Sequence, residues 1–154
     1  MSTGSSGSGG TSGVEQGRAI VRAGWAANVL FAITAVPAAI TDDDTVAAVA
    51  IVVALLLFFA SIAAFVYAFA VAVARTTRGD NVVVANLFFL QGSAPRPVRR
   101  TFLWMFLVCL AITGATVAWE PFGVLVPMLP IGLAGAWAAR YGTFPPRPTL
   151  SRRV

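Results

Sequence analysis

Few residues in this chain could do chemistry, and their types exclude most common catalytic sites. The sequence has no His and no Lys, so the commonest general base and the Schiff-base nucleophile are both missing. The single cysteine, Cys109, lies in an apolar run, where it is expected to be a small apolar residue of a helix. The sequence also lacks a P-loop, a G-x-S-x-G motif and a Cys/His cluster. We therefore expect a non-enzymatic protein with no metal or cofactor site.

The acidic residues give only weak indications of a site. Asp42, Asp43 and Asp44 are adjacent, which could suggest a cation site, but they come from one short loop before an apolar run. The favoured interpretation is a solvated turn in which Asp44 or Thr45 caps the next helix. Glu120 lies at another turn, and we expect a solvated carboxylate there rather than a cation or partner site.

The elements that position these residues are long apolar runs. Hydrophobic residues make up 58% of the chain and charged residues 11%, against about 25% charged in a soluble domain. Residues 46–74 contain no charge and far exceed the ~18 residues that indicate a membrane-spanning helix. Shorter runs lie at 23–41, 101–119 and 122–139. The pattern predicts an all-α integral membrane four-helix bundle of two antiparallel transmembrane hairpins.

Three segments do not fit a simple span. Residues 1–22 predict a disordered tail that becomes basic, and residues 140–154 a basic, proline-rich tail. Residues 82–91 are mostly apolar but too short to cross as a helix, so we expect an interfacial segment, with a re-entrant segment as the alternative. Pro127 and Pro130 should bend the last span or divide it into two pieces.

Charge sets the expected orientation. The net charge is +5, all eleven basic residues are Arg, and four spans place every Arg on one side. The other side holds Asp42, Asp43, Asp44 and Glu120, so the positive-inside rule predicts that both termini are cytoplasmic. Because the arginines flank apolar runs, we expect them to contact anionic lipid headgroups or a protein partner rather than nucleic acid. The candidates in the middle loop are Arg75, Arg78, Arg96, Arg99 and Arg100.

Polar side chains inside the spans are few. Asn28, Ser61 and Tyr67 are expected to take part in polar packing between helices. No ionisable residue other than Cys109 and Tyr67 lies within a span, and no Asp, Glu, Lys, Arg or His lies at the centre of one. Ion pumps and proton-coupled transporters usually need such a residue, so its absence disfavours a transporter.

Part of the chain resembles a known group of proteins. The block GSAPRPVRR at 92–100, followed by FGVLVPMLPIGLAGAWAARYGTFPPR at 122–147, resembles a group of small multi-pass membrane proteins of actinobacteria with no assigned function. The resemblance covers roughly the C-terminal half of the chain. It implies a bacterial plasma (inner) membrane protein and supplies no activity and no site residues.

These observations lead to two functional hypotheses. The first is an accessory or scaffold subunit that organises a membrane complex and docks through its arginine-rich cytoplasmic face. The alternative is a homo-oligomeric transporter or channel for a small solute or a lipid, suggested by the two prolines of the last span and by a re-entrant segment at 82–90. A lipid-modifying enzyme is a distant third.

Overall fold

The computed structural model describes residues 17–146. Of the predicted tails at 1–22 and 140–154, residues 1–16 and 147–154 therefore lie outside the described residues, whereas residues 18–22 and 140–141 belong to helices. The helices, in chain order, are α1 (Arg18–Ile40), α2 (Asp44–Thr76), α3 (Val84–Phe88), α4 (Arg96–Thr116), a 3₁₀ helix (Pro121–Leu125) and α5 (Met128–Tyr141). Four segments are long and apolar enough to cross a membrane: α1, α2, α4 and Pro121–Tyr141. The prediction of an all-α protein with four potential membrane-spanning helices is confirmed.

The turn between α1 and α2 differs in detail from the prediction. Helix α1 continues through Pro37 and ends at Ile40, where the Thr41 amide donates to the Pro37 carbonyl at 3.0 Å. The N-cap of α2 is Asp43, not Asp44 or Thr45. Its Oδ1 accepts from the amides of Thr45 at 2.7 Å and Val46 at 3.4 Å. Asp43 directly precedes the helix, so its side chain can accept hydrogen bonds from the free amides of the first turn.

The final span consists of two pieces. The 3₁₀ helix ends at Leu125, Pro127 precedes α5, and Pro130 is the third residue of α5. A proline in the first helical turn costs little, because its missing N–H would have no intrahelical acceptor there. Pro127 therefore lies between the two pieces, and Pro130 lies in the first turn of the second piece.

Helix α5 lies at the centre of the bundle. In the most apolar stretch of the final span, Pro121–Tyr141, which contains α5, 67% of the residues are buried, against 22% for the corresponding stretch of α2. The main partner of α5 is α2, and the two helices run parallel, since Ser61 faces Gly132 and Ala68 faces Gly135. A Cβ added at Gly132 would lie 3.2 Å from both the Ser61 carbonyl oxygen and the Ala64 Cβ. Small residues thus let these backbones approach closely.

The main pairing joins helices from different predicted hairpins. Helix α1 packs on α2 and also on α4, where Gly24 and Asn28 meet Met105. The grouping into two antiparallel hairpins stays a prediction. The two ends of the bundle differ in charge, so we call them the basic end and the acidic end. The basic end is where α1 and α4 begin and α2 and α5 finish, and the acidic end carries Asp42, Asp43, Asp44 and Glu120.

Much of the outer surface is apolar. Exposed side chains on α1, α2 and α4 include Val29, Ile33, Leu56, Phe59, Val66, Val73, Leu103 and Leu110. A soluble monomer rarely exposes contiguous apolar patches beyond a few hundred Å². This surface fits a lipid environment, in agreement with the four apolar helices.

Candidate functional site

Four of the exposed arginines at the basic end come from the loop between α2 and α4 and from the start of α4. They are Arg78, in the turn after α2, and Arg96, Arg99 and Arg100, in the first turns of α4. Within residues 17–146 their side chains make no hydrogen bond and no ion pair. Pro95 precedes the helix and Pro97 occupies its second position, where a proline is well tolerated. The early helix start thus presents three of these guanidinium groups on α4.

Arg75 behaves differently from the other arginines of the loop. Its Nε donates to Asp80 Oδ2 at 2.8 Å, and its Nη1 donates to the carbonyls of Ala139 at 3.1 Å and Gly142 at 3.0 Å. The guanidinium also lies 4.7 Å from the ring centroid of Phe144. A cation at a helix C-terminus satisfies carbonyls that have no intrahelical donor. Arg75 therefore joins the end of α2 to the end of α5, a role that the sequence did not indicate.

The predicted interfacial segment at 82–91 packs against α2 and α5. The Phe88 ring lies 4.8 Å from that of Phe65 and 5.2 Å from that of Phe69. Leu87 and Leu90 are also buried, and Leu90 has a φ of 55°, a left-handed conformation that is rare for a residue of this kind. The depth of this segment in a membrane, interfacial or re-entrant, stays a prediction.

A groove of about 220 Å³ lies between this segment, α4 and α5. Helix α4 contributes Arg99, Phe102, Leu103 and Phe106, spaced i, i+3, i+4 and i+7, so they share one helix face. Helix α5 contributes Pro130, Ile131 and Ala134, and the short segment contributes residues 88–91. The lining is apolar except for Arg99 and Gln91.

The groove is polar only towards the basic end. Arg99 precedes Phe102 by one turn, and α4 runs away from the basic end, so the guanidinium lies at that end of the apolar stripe. Gln91 lies just before Ser93, whose carbonyl accepts from the Thr143 amide beyond the end of α5. An apolar slot with a cation at one end can hold a molecule that has an apolar chain and an anionic head.

The predicted polar residues of the spans have different environments. Asn28 is buried and its Nδ2 donates to the Met105 carbonyl at 2.8 Å, which joins α1 to α4. Ser61 is buried at the contact with α5, but its Oγ donates to the Phe58 carbonyl of its own helix at 2.7 Å. Tyr67 is 42% exposed and has no hydrogen-bond partner among the described residues, so its part in polar packing stays a prediction. It lies roughly 120° around α2 from Ser61, away from α5.

Glu120 corrects the expectation of a solvated turn. Only 2% of its surface is exposed, and among the described residues neither carboxyl oxygen has a hydrogen-bond partner. A Cβ added at Gly123 would lie 3.0 Å from its Oε2 and 3.0 Å from Phe31 Cζ. Burial raises the pKa of the Glu120 carboxyl above its ordinary value, because desolvation disfavours the charged form.

The part of the chain that the structure describes shows no metal-binding cluster beside these features. Within residues 17–146 no three His, Cys, Asp or Glu side chains come close enough to hold a metal ion. Cys109 is buried in the core with Phe31, Leu57 and Val126. Comparison with protein family models, with curated proteins and with solved structures gives no match to this chain.

Proposed function

We propose that this chain is a non-enzymatic integral membrane protein of a bacterial inner membrane, with both termini in the cytoplasm. Its role is that of an accessory or scaffold subunit that organises a membrane complex through the basic end. The observation that carries the proposal is the contrast between the two ends of one bundle. Exposed arginines with no partner among the described residues lie at one end, and the other end has acids but no arginine.

Several features support this role. Positive charge beside apolar helices favours the cytoplasmic side of a membrane, and exposed guanidinium groups can pair with carboxylates of a partner. Arg75 contributes to the structure of the basic end, since its hydrogen bonds to Ala139 and Gly142 hold the ends of α2 and α5 together. The basic end is therefore a built surface that presents charge from two different helix ends.

Orientation can be tested with two single cysteine variants. Asp42→Cys places a thiol at the exposed turn of the acidic end, and Thr77→Cys places one at the exposed turn of the basic end. The native Cys109 is fully buried and should contribute little labelling. A membrane-impermeant maleimide should label the first variant in intact cells and the second only after lysis. The reverse pattern would overturn the proposed orientation.

Docking can be tested by extraction into native nanodiscs, with the mass of the complex and the co-purifying proteins read by mass spectrometry. We expect a stoichiometric protein partner for the full chain. The double variant Arg96→Gln/Arg100→Gln should lose that partner while staying in the membrane. The control is Asp42→Asn/Asp44→Asn, which changes two exposed charges at the acidic end. Loss of the partner in the control, or retention in the arginine variant, contradicts docking through the basic end.

The alternative function is a homo-oligomeric transporter or channel. The specific feature in its favour is the final span, in which a 3₁₀ helix and the residues around Pro127 interrupt the α-helix. Irregular backbone at membrane depth must line protein or water. A partner-free homo-oligomer that supports solute flux in liposomes would favour this function over the scaffold.

A further inference from the structure

We propose that the groove between α3, α4 and α5 is a binding site for an anionic phospholipid. One acyl chain lies along Phe102, Leu103 and Phe106, and the phosphate pairs with Arg99. The site rests on the proposed membrane location of the bundle, but it does not require a protein partner. It assigns Arg99 a ligand of its own, distinct from the general attraction of the basic end to a membrane surface.

Charge complementarity identifies the ligand class. The lining is apolar along the face formed by Phe102, Leu103 and Phe106, and its only charged residue is Arg99, at the basic end. Within residues 17–146 the Arg99 side chain has no hydrogen-bond or ion-pair partner. A guanidinium offers several N–H donors in a fork that matches phosphate oxygens. Basic pockets between transmembrane helices on the cytoplasmic side are known to take anionic lipid headgroups.

The size of the groove favours a chain over a compact ligand. Its volume of about 220 Å³ is below the ~300–1,000 Å³ of pockets for drug-sized molecules. From Arg99 to Phe106 the stripe extends over seven residues of helix, or roughly 10 Å. A space of this volume with a mostly apolar lining suits part of one acyl chain. Phe88 and Leu90 close it on the side of the short segment, and both are buried.

The first test compares two lipids and two arginines. The full chain, purified in mild detergent, is incubated with phosphatidylglycerol or with phosphatidylcholine of the same acyl chains, and retained lipid is counted by native mass spectrometry. We expect saturable retention of one phosphatidylglycerol in preference to phosphatidylcholine. Arg99→Gln should weaken this retention by about fivefold. Arg78→Gln removes an exposed arginine that does not line the groove and should have little effect.

The second test fills the groove without changing charge. Leu103 lines the groove and is 53% exposed, so Leu103→Trp should occupy part of the space without disturbing the buried core. Leu107 is 41% exposed on the same helix and does not line the groove, which makes Leu107→Trp the matched control. Only the first variant should lose the retained phosphatidylglycerol.

Specific outcomes would overturn the site. Equal retention of the two lipids, or equal loss in the two arginine variants, would mean that the groove holds only annular lipid. Equal loss in the two tryptophan variants would have the same meaning. Displacement of the lipid by a co-purifying protein that binds through Leu103 would make the groove a protein-docking surface instead. Failure of the Arg96/Arg100 docking test leaves this site standing, because that variant keeps Arg99.

Discussion

Two turns at the acidic end place their carboxyl groups in opposite environments, one exposed and hydrogen-bonded and the other buried. Asp43 lies in the open turn between α1 and α2, where its carboxylate accepts from two free amides at the start of α2. Glu120 lies between α4 and the 3₁₀ helix, where its carboxyl group is buried beside Phe31 and has no hydrogen-bond partner within residues 17–146. Hydrogen bonds from Thr45 and Val46 hold the pKa of Asp43 below its ordinary value, whereas burial raises the pKa of Glu120.

The difference shows that the properties of an acid in a short loop depend on its position relative to the neighbouring helix. Asp43 precedes a helix, so it meets unpaired N–H groups. Glu120 follows a helix, on the line of its buried face, so it meets packed side chains. The buried residues of α4 are Val98, Phe102, Met105, Cys109, Thr113 and Thr116, and Glu120 continues this spacing of three and four.

The largest effect is expected from removing the buried carboxyl group. Glu120→Met keeps a side chain of similar length and removes two buried oxygens that have no partner among the described residues. We expect the free energy of unfolding at neutral pH to rise by about 1–3 kcal/mol, the usual cost of an unsatisfied buried polar group. Reversible unfolding in detergent micelles, followed by circular dichroism, measures the change. A marked loss of stability would show that Glu120 has a partner in the folded protein.

A smaller effect is expected from closing the space beside Glu120. Gly123→Ala adds a Cβ within 3.0 Å of Glu120 Oε2 and Phe31 Cζ, both buried, and should destabilise the fold by about 1 kcal/mol. The control is Gly114→Ala in α4, where an added Cβ meets nothing within 4 Å. That change should stabilise the helix by about 0.5–1 kcal/mol, because glycine is a poor helix former. The same unfolding assay should therefore give opposite signs for the two variants.

The third effect is a dependence on pH that distinguishes the two turns. Because the folded pKa of Glu120 is raised, its desolvation penalty is absent below its ordinary pKa of about 4.3. Stability is then lost as the pH rises through the folded pKa. Glu120→Gln should remove this loss, so stability against pH becomes flatter from acid to neutral. A profile unchanged by the substitution would mean that the carboxyl group is not desolvated.

The smallest effect is expected at the exposed cap. The pKa of Asp43 is lowered, so its contribution is present above the ordinary value of about 3.9 and is lost as the pH falls through the folded pKa. Asp43→Asn keeps a capping oxygen and should change the unfolding midpoint little at neutral pH. Asp43→Ala should lower it slightly. If Asp44→Ala lowers the midpoint more than Asp43→Ala, the cap has been assigned to the wrong residue.

The existence of the four long helices could be predicted from the apolar runs, but their bounds could not. The runs at 101–119 and 46–74 predict spans that stop at the first charge, whereas α4 begins at Arg96 and α2 continues to Thr76. A helix ends where its backbone hydrogen bonds end, and arginine is a good helix former. The charged residues in the sequence therefore indicate where the membrane boundary is expected, but they do not indicate where the helices begin and end.

The candidate site could be predicted only in part. The number of arginines in the middle loop predicts a surface for lipid or partner contact. The separate role of each arginine depends on which other elements lie beside it. Arg75 meets the carbonyl groups at the end of α5, more than sixty positions away in sequence, and no local pattern indicates that contact. The groove had a readable signal in the spacing of Arg99, Phe102, Leu103 and Phe106. The opposite wall from α5 depends on tertiary packing.

The parallel pairing of α2 with α5 has a consequence for biosynthesis. Helix α2 is complete at Thr76, but its partner is complete only at Tyr141, after α3, α4 and the 3₁₀ helix have been made. At ~5–20 residues per second, a ribosome needs several seconds for that distance. During this interval the small-residue face around Ser61, Ala64 and Ala68 has no native partner. The nascent chain must keep this face in lipid or against the membrane insertion machinery until the last helix arrives.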